Sequence, residues 1–533
     1  MRKIIGKGIA IIVTIAWGIW LNYLAMPAWT FQSVGFWFYW ISVIAVGCII
    51  FGICEYFEDD DKYLFTIITV CLTIVILVIL TIAGISSMKI FHVSTYRNII
   101  EISNDGDFDR DIPRVQDSKD IPIVDMLTAR QLGDRTMGVM EQYLSQYEVD
   151  GEYNLISYKD KYYRISPMLY GGFFKYGNSK YNGIPGYVLV DINTQEAKLV
   201  ELDKPIKYSP SAHYGDLLKR HLRKRYPSYI FGKEQFEIDD EGTPFYIVPV
   251  ERSTAGLFGA RIVDRVILVN AITGETTEKF IEDIPTWVDH VFSVEYLMER
   301  VDWYYSYTNG YWNASMAKRD VRKTSYSFDK KQYYFIAKED GIYLYTGITS
   351  AGKDESNIGF ILANVRTGEV KYYSNPGAEE SSAQASAEGV VQQFGYTAGP
   401  VMLVNIDGIE TYFMTLKDNQ ALVKKVAMVN KNNYTIAVVE DTVEEAVNSY
   451  RVRFSSEVKA ETTEGIGIVS ELYTAIKDGF TNYYFKLEGD NKLYVSSIVN
   501  NEHQVIMRCG DTVVIEYVLV DDETAIIQKI TIK

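Results

Sequence analysis

Three long apolar runs open the chain, and shorter runs of alternating apolar and polar positions fill the rest. The long runs cover residues 8–26, 36–53 and 64–85. Each comes close to the roughly 20 residues that a helix needs to cross about 30 Å of hydrocarbon. We therefore predict three transmembrane helices within residues 1–87. A cleavable signal peptide is the alternative for the first run, but Trp17 and Trp20 interrupt it and two more runs follow.

The basic residues beside these runs predict an orientation. Three precede the first run and one lies in the loop at 55–63, whereas the loop at 27–35 has none. Lys89 and Arg97 follow the third run. Because basic loops tend to stay on the cytoplasmic side, we expect a multi-pass protein of the cell membrane. Its N-terminus would be cytoplasmic and residues 88–533 extracytoplasmic.

A short turn phrase returns four times in the second part of the chain. It begins at Asp191, Asn270, Asn364 and Asn430, each time after an apolar run and before a second strand-like run. Asp and Asn side chains accept hydrogen bonds from their own backbone, and Gly supplies the positive φ of a tight turn. The phrase therefore predicts a β-hairpin, although the first copy has Gln195 where the second and third have Gly.

A helical stretch and further strand-like runs precede each turn phrase, so the repeating unit is helix, strand, strand, turn phrase and strand. The helical stretches include residues 132–143, 212–226, 291–307 and 383–394. We predict tandem small α+β modules, each made of a helix and antiparallel hairpins. Their predicted bounds are 123–205, 206–284, 285–378 and, for a degenerate fourth copy, 379–455.

Two other segments complete the predicted membrane-anchored α+β fold. Residues 88–122 are predicted as a juxtamembrane segment and an acidic linker that lifts the modules off the membrane. Residues 460–533 contain five strand-like runs, at 466–473, 482–487, 492–497, 512–520 and 525–532. Five short strands with glycine turns between them predict a small five-stranded β-barrel of OB or SH3 type.

Charge and cysteine content narrow the possible partners. The formal net charge is −16, and the first 87 residues carry four basic and five acidic side chains, which leaves −15 on residues 88–533. Such a surface repels nucleic acid unless a local patch overrides it. Cys509 is the one cysteine after residue 87, which fits a bacterial envelope protein better than a secreted eukaryotic one and fits a cytoplasmic domain as well.

The helix followed by a strand pair that ends in the turn phrase resembles the PepSY module of bacterial envelope proteins. The copies at 269–275 and 364–369 carry the resemblance best, and it covers roughly residues 123–450. The chain is similar to membrane-anchored proteins with tandem PepSY units from spore-forming Gram-positive bacteria. This resemblance implies non-catalytic modules that restrain or assist a neighbouring peptidase or wall enzyme.

Two surfaces are candidates for binding. The basic run offers an anion site for lipid headgroups, teichoic acid or nucleic acid, and its alternative is a solvated helix face. It consists of Lys219, Arg220, Arg223, Lys224 and Arg225. The densest aromatic cluster offers stacking surfaces for envelope glycans, and its alternative is core packing. It consists of Trp303, Tyr304, Tyr307, Tyr311 and Trp312.

No catalytic, cofactor or metal site is predicted, because no nucleophile–base pair or ligand spacing stands out and the five histidines are scattered. We predict a non-catalytic integral membrane protein that binds and regulates or scaffolds an envelope protein or cell-wall polymer. One alternative is an envelope hydrolase with a dispersed site between modules. Another, for the inverted topology, is a cytoplasm-facing protein that binds nucleic acid or another anion.

Overall fold

Three helices long and apolar enough to span a membrane begin the chain, as predicted. They are α1 (Arg2–Ala25), α2 (Val34–Phe57) and α3 (Leu64–Ser86). The computed structural model describes residues 2–57, 63–327, 330–350, 357–455, 462–477, 480–520 and 523–533. Apolar side chains cover the outer surface of the helices, and α3 has none of its residues buried. Such a surface is stable in hydrocarbon and not in water.

Residues 88–122 are not the spacer that their acidic composition suggested. They form α4 (Val93–Arg97), β1 (Ile102–Ser103) and α5 (Phe108–Asp111). Ile112 and Ile121 are both 3% exposed and belong to the main core, and the N–H of Val115 donates to the carbonyl of Asn405 at 2.9 Å. These apolar residues recur within the charged run, and their burial holds it against the sheets.

The mixed α/β part contains four sheets with one strand plan. The stretch of chain that forms the first sheet contains α6 (Met126–Val139), α7 (Glu141–Leu144), β2 (Tyr147–Val149), β3 (Asn154–Tyr158), β4 (Lys161–Tyr170), α8 (Phe173–Ser179), β5 (Ile184–Asp191) and β6 (Ala197–Ile206). The second has α9 (Leu218–Arg225), β7 (Ile230–Phe231), β8 (Gln235–Ile238), β9 (Pro244–Ala255), β10 (Gly259–Asn270) and β11 (Thr276–Phe280).

The third and fourth sheets continue this order. The stretch of chain that forms the third sheet contains α10 (Val294–Ser306), β12 (Arg322–Thr324), β15 (Tyr334–Lys338), β16 (Gly341–Ser350), β17 (Asn357–Asn364) and β18 (Val370–Tyr373). Between β12 and β15 lie β13 (Tyr326–Ser327) and β14 (Lys330–Lys331), which are not part of this sheet. The fourth has α11 (Glu380–Val390), β19 (Thr397–Ala398), β20 (Met402–Ile406), β21 (Ile409–Lys417), β22 (Val423–Asn430), β23 (Ala437–Glu440) and α12 (Val443–Arg453).

In each sheet two short strands pair with the first long strand, which pairs with a second long strand and then with the strand after the turn phrase. The orders are β2-β4-β5-β6, β7-β9-β10-β11, β12-β16-β17-β18 and β19-β21-β22-β23, with β3, β8, β15 and β20 as the other partner of the first long strand. The strand β1 extends the third sheet by pairing in parallel with β18. The separate β13–β14 pair lies outside this plan.

The hairpin prediction is confirmed at all four turn phrases. The side-chain Oδ1 of each anchor residue accepts hydrogen bonds from the N–H groups two and three positions later, at 2.9–3.0 Å. Gly274 and Gly368 take φ of 75° and 78°, and Gln195 is held at 62° in the same place. The Asx turn therefore forms with or without the glycine, although a side chain is strained there.

A second contact recurs at these turns. The carbonyl of the residue after each anchor accepts hydrogen bonds of 2.9–3.1 Å from the segment that leads into the helix of the same sheet. The N–H groups of Ile123 and Val124 donate to Ile192, those of Lys207 and Tyr208 to Ala271, those of Val291 and Phe292 to Val365, and that of Ala378 to Lys431. Each turn phrase thus closes its hairpin and also fixes the start of the helix that covers the sheet.

The four sheets do not have separate cores. One core contains Val188 of the first sheet, Ile247 of the second and Leu344 of the third, all buried. Another contains Phe360 of the third sheet and Phe413 of the fourth. Sheets with continuous apolar cores resist relative movement, because sliding would expose the buried surface to water.

The first and fourth sheets also meet directly, so the sheets are not in an open row. Asp125, the N-cap of α6, forms an ion pair with Lys417 of β21, and both side chains are 6% exposed. Burial raises the pKa of Asp125, but the Lys417 ammonium and the Thr128 N–H outweigh it, and the pKa lies below its ordinary value. The threonine hydroxyl donates to the carbonyl of Ala421 at 3.1 Å.

The C-terminal strands close into a five-stranded barrel, as predicted. They are β24 (Thr463–Lys477), β25 (Phe480–Leu487), β26 (Leu493–Ser497), β27 (Thr512–Leu519) and β28 (Thr524–Ile532), in the order β24-β25-β26-β28-β27. The barrel rests on α12, where the guanidinium of Arg453 lies 3.3 Å from the centre of the Phe480 ring. The Asn500 amide donates to the carbonyls of Val452 and Arg453 at 3.1 and 3.2 Å.

Candidate functional site at the membrane-proximal face

Both surfaces that the sequence singled out lie where the mixed α/β part meets the membrane helices. The helix α9 contacts the end of α1, and α10 contacts α4, which follows α3 directly. The third contact is the tip of the β9–β10 hairpin, which reaches the end of α3. We call this region the membrane junction.

The basic run on α9 divides into two groups. Leu218 and Leu222 are buried, which orients the helix. Arg220 then projects toward α1, where it donates to the carbonyl of Tyr23 at 3.0 Å and to that of Tyr214 at 2.8 Å. Its guanidinium also lies 3.9 Å from the centre of the Tyr23 ring. The carbonyls at a helix C-terminus carry partial negative charge, so an arginine is stabilising there.

Arg223 makes the second link to α1. It donates from Nε to the carbonyl of Met26 at 3.2 Å and from Nη1 to the carbonyls of Tyr226, Pro227 and Tyr229 at 2.6–3.2 Å. Burial lowers the pKa of this guanidinium to about 10. Arg220 and Arg223 therefore bind α9 to the end of α1. The other three members of the run are exposed: Lys219, Lys224 and Arg225. Anion binding by the exposed group stays a prediction.

The hairpin tip is fixed to the end of α3. The hydroxyl of Ser87, which is 7% exposed, accepts hydrogen bonds from the N–H groups of Leu257 and Phe258 at 2.9 and 3.1 Å. Gly259 lies so close that a Cβ there would come within 2.7 Å of the Ser87 carbonyl oxygen. Only a residue without a side chain allows this approach.

The aromatic cluster also divides. The Trp303 ring packs edge-on against Tyr96 of α4 at 4.7 Å, and Arg97 of α4 lies 5.1 Å from the centre of the Tyr304 ring. For Trp303 and Tyr304, these contacts correspond to packing, the alternative to glycan binding. Tyr307 and Tyr311 stack at 6.4 Å beside a cleft, and Trp312 is 61% exposed. Glycan binding by the exposed part stays a prediction.

A buried polar junction lies among the first three sheets, and no pattern in the sequence predicts it. Glu237 accepts hydrogen bonds from the N–H groups of Asp289 and His290 at 2.8 and 2.6 Å. Asp289 accepts from the N–H of Ser157 at 2.6 Å, and His290 donates from Nε2 to the carbonyl of Leu155 at 2.7 Å. All three ionisable side chains are at most 4% exposed. They come from distant positions, and no local spacing marks them.

Burial sets the protonation of this junction. It raises the pKa of Asp289 to about 6, opposed by the Ser157 N–H and by Arg366, whose Nη2 lies 3.2 Å from Oδ1. It raises the pKa of Glu237 well above the ordinary range, and the neighbouring Asp289 charge adds to this. It lowers the pKa of His290 to about 4, and Arg164 and Arg366 act in the same direction. The junction therefore holds its histidine neutral.

No metal centre stands out in the part of the chain that the structure describes, where no group of three or more His, Cys, Asp or Glu side chains is placed to hold an ion. Comparison with protein-family models finds no match for the chain, and comparison with curated proteins finds none either.

Proposed function

We propose that the chain is a non-catalytic membrane protein of the bacterial envelope. Its four sheet units are tandem PepSY-like modules on the extracytoplasmic side. They bind and regulate or scaffold a peptidase, a wall enzyme or a wall polymer. The observation that carries this proposal is the repeated closure of each turn phrase onto the helix start of its own sheet. Four copies of one closure are what repetition of a module produces.

The joined cores and the membrane junction support a scaffold rather than a set of mobile domains. Arg220 with Arg223, and Ser87, hold the second unit to the ends of the membrane helices α1 and α3. Trp303 holds the third unit to α4, the short helix that comes after α3. A partner that binds any of the units is then held at a set height above the bilayer. Such positioning can bring a membrane enzyme to its substrate or keep it away.

The barrel fits this role better than nucleic-acid binding. The parallel β26–β28 pair and the short helical turn at Glu502–Ile506, between the third and fourth strands, favour the OB over the SH3 type. OB barrels bind oligonucleotides on their second and third strands. Here residues of these strands, such as Asn482 and Tyr484, face α12 across a cleft of about 370 Å³. The face that would stack on bases is turned toward the fourth unit.

A hydrolase with a site between modules is the second candidate, and one observation favours it. The buried junction brings the carboxylates of Glu237 and Asp289 beside His290, with shifted pKa values. Such shifts are common at catalytic sites, but structural networks produce them too. Backbone N–H groups already occupy oxygens of both carboxylates. This arrangement favours a structural role.

One experiment separates the two functions. The full chain in lipid nanodiscs is incubated with peptide and peptidoglycan substrates, alone and with an envelope extract from cells that lack the chain. The regulatory function predicts no turnover by the chain alone and a changed rate in the extract. Turnover by the chain alone that is lost in Asp289→Asn would establish the hydrolase instead. A variant with an exposed substitution, Lys424→Gln, serves as the matched control.

A further inference from the structure

A cleft of about 520 Å³ lies at the membrane junction and takes no part in the function proposed above. It opens between the end of α3, the tip of the β9–β10 hairpin and the residues that follow α10. Its lining includes Ser87, Lys89, Tyr96, Phe258, Tyr307 and Tyr311. The volume is in the range of small-molecule sites.

The charge in this cleft is unbalanced. Lys89 is the only cation among the lining residues that the structure describes, and none of these is a carboxylate. Its Nζ lies 4.8 Å from the centre of the Trp303 ring and 5.7 Å from that of Tyr96. Within the described ranges, no ion pair joins it to an acidic side chain. The rings hold the ammonium in place and leave its charge for an anion.

The position of the cleft indicates where this anion comes from. Gly84 and Ser87, at the end of the spanning helix α3, form one wall. Met88 lines the cleft and is 53% exposed. Large apolar side chains close to lining residues in the sequence are exposed as well: Phe91 at 63%, Trp312 at 61% and Met316 at 73%. A cation at the end of a span, with apolar side chains beside it, matches a phosphate headgroup and the acyl chains attached to it.

We propose that this cleft binds the phosphate of an anionic phospholipid. Lys89 is the counter-ion, and Tyr307 and Tyr311 offer hydroxyl donors beside it. The acyl chains lie along Met88 and Phe91 toward α3. This site differs from the basic run on α9, in which Arg220 and Arg223 are already engaged with carbonyls. It rests on the membrane span of α3 and does not depend on the regulatory role.

The test uses the full chain in nanodiscs of phosphatidylcholine alone or mixed with phosphatidylglycerol. Two quantities are measured: the thermal unfolding midpoint and, by native mass spectrometry, the phosphatidylglycerol retained after release from the disc. The parent should unfold at a higher midpoint in the mixture and retain the anionic lipid. Lys89→Gln should lose this difference and retain lipid about tenfold more weakly, as expected for one charge-assisted contact. Lys89→Arg should keep both.

Matched controls separate this cleft from general attraction to a charged surface. The variant Lys318→Gln removes an exposed charge from the segment that follows α10 and should behave as the parent. The readout is the difference in unfolding midpoint between the two lipid compositions. A general loss of stability in Lys89→Gln lowers both midpoints and so does not change this difference. An equal phosphatidylglycerol effect in Lys89→Gln and the parent would overturn the proposal. So would an equal effect of glycerol phosphate added to phosphatidylcholine discs, which would make the ligand a soluble phosphate.

Discussion

Gln32 and Ser253 exchange two hydrogen bonds across 221 positions of the chain. The side-chain Nε2 of Gln32 donates to the carbonyl of Ser253 at 3.3 Å, and its Oε1 accepts from the N–H of the same residue at 3.1 Å. The side-chain amide of Gln32, in the loop between α1 and α2, thus bonds to both the N–H and the carbonyl of one β9 residue, as the backbone of a neighbouring strand would. Together with Arg220 and Arg223, this pair fixes the second sheet against the ends of α1 and α2.

The first prediction concerns this docking. With the four native cysteines replaced by serine, Gln32→Cys and Ser253→Cys should be joined readily by a short bifunctional thiol cross-linker in the full chain. Adding Arg220→Ala and Arg223→Ala removes hydrogen bonds of a charged group, each worth about 1.5–3 kcal/mol. Cross-linking, followed by electrophoretic mobility, should then slow at least about tenfold. Lys219→Ala with Lys224→Ala is the control, and equal slowing there would contradict the assigned roles.

The second prediction concerns strain in the turn phrases. Gln195→Gly relieves a side chain held at a φ of 62° and should stabilise the protein by about 0.5–1 kcal/mol, despite the added freedom of the unfolded chain. Gly274→Ala should destabilise it by more than about 1 kcal/mol, because the new Cβ would lie 2.4 Å from the Tyr208 ring. Thermal unfolding in detergent measures both changes. A loss of stability in Gln195→Gly, or a gain in Gly274→Ala, would refute the equivalence of the two turns.

The third prediction concerns the contact between the first and fourth sheets. Lys417→Met leaves the buried Asp125 carboxylate without a counter-charge and should cost about 3–5 kcal/mol. Asp125→Asn keeps a helix cap but leaves the buried Lys417 without a counter-charge, so it should also lower the free energy of unfolding. The double variant should lose less than the sum of the two by about 2 kcal/mol. Additive losses in denaturant unfolding would mean that the two side chains do not interact.

The fourth prediction concerns pH. Burial lowers the pKa of His290 from 6.5 in its ordinary state to about 4. Between these values the unfolded chain binds a proton that the folded chain does not, so folding weakens as the pH falls. Asp289, with its pKa raised to about 6, has the opposite effect over an overlapping range. The difference between the parent and His290→Gln isolates the histidine.

The unfolding free energy of the parent should therefore fall more steeply than that of His290→Gln between pH 6.5 and 4, by about 1.4 kcal/mol for each pH unit. The exposed His503 provides the control, because His503→Gln should keep the pH profile of the parent. Parallel profiles for the parent and His290→Gln would show that the imidazole is not held neutral by burial.

Local patterns predicted the parts of the fold that local physics decides. The membrane helices follow from uninterrupted apolar length, and the hairpins follow from Asn270 and Asn364, whose side chains close a turn within their own phrase. The five barrel strands lie within a few residues of their predicted bounds, because alternation and glycine turns mark them. In the closed barrel each of the five strands pairs with two neighbours, which protects the strand edges.

The features that the sequence did not predict depend on contacts between distant positions of the chain. Ile112 and Ile121 look like isolated apolar residues in an acidic run, and only the third and fourth sheets make them core residues. Arg220 and Arg223 look like members of an anion patch until the end of α1 supplies carbonyls. Periodicity shows which face of a helix is polar, but it does not show what that face contacts.

Topology tests the central claim, that residues 88–533 act on the envelope outside the cell. The exposed Gln116 is replaced by cysteine in a chain whose native cysteines are serine, and intact cells are treated with a membrane-impermeant maleimide. Lys3→Cys in the same background marks the opposite side. We expect Gln116→Cys to be labelled in intact cells and Lys3→Cys to be labelled only after lysis. Labelling of Lys3→Cys in intact cells and of Gln116→Cys only after lysis would contradict it and place the modules in the cytoplasm.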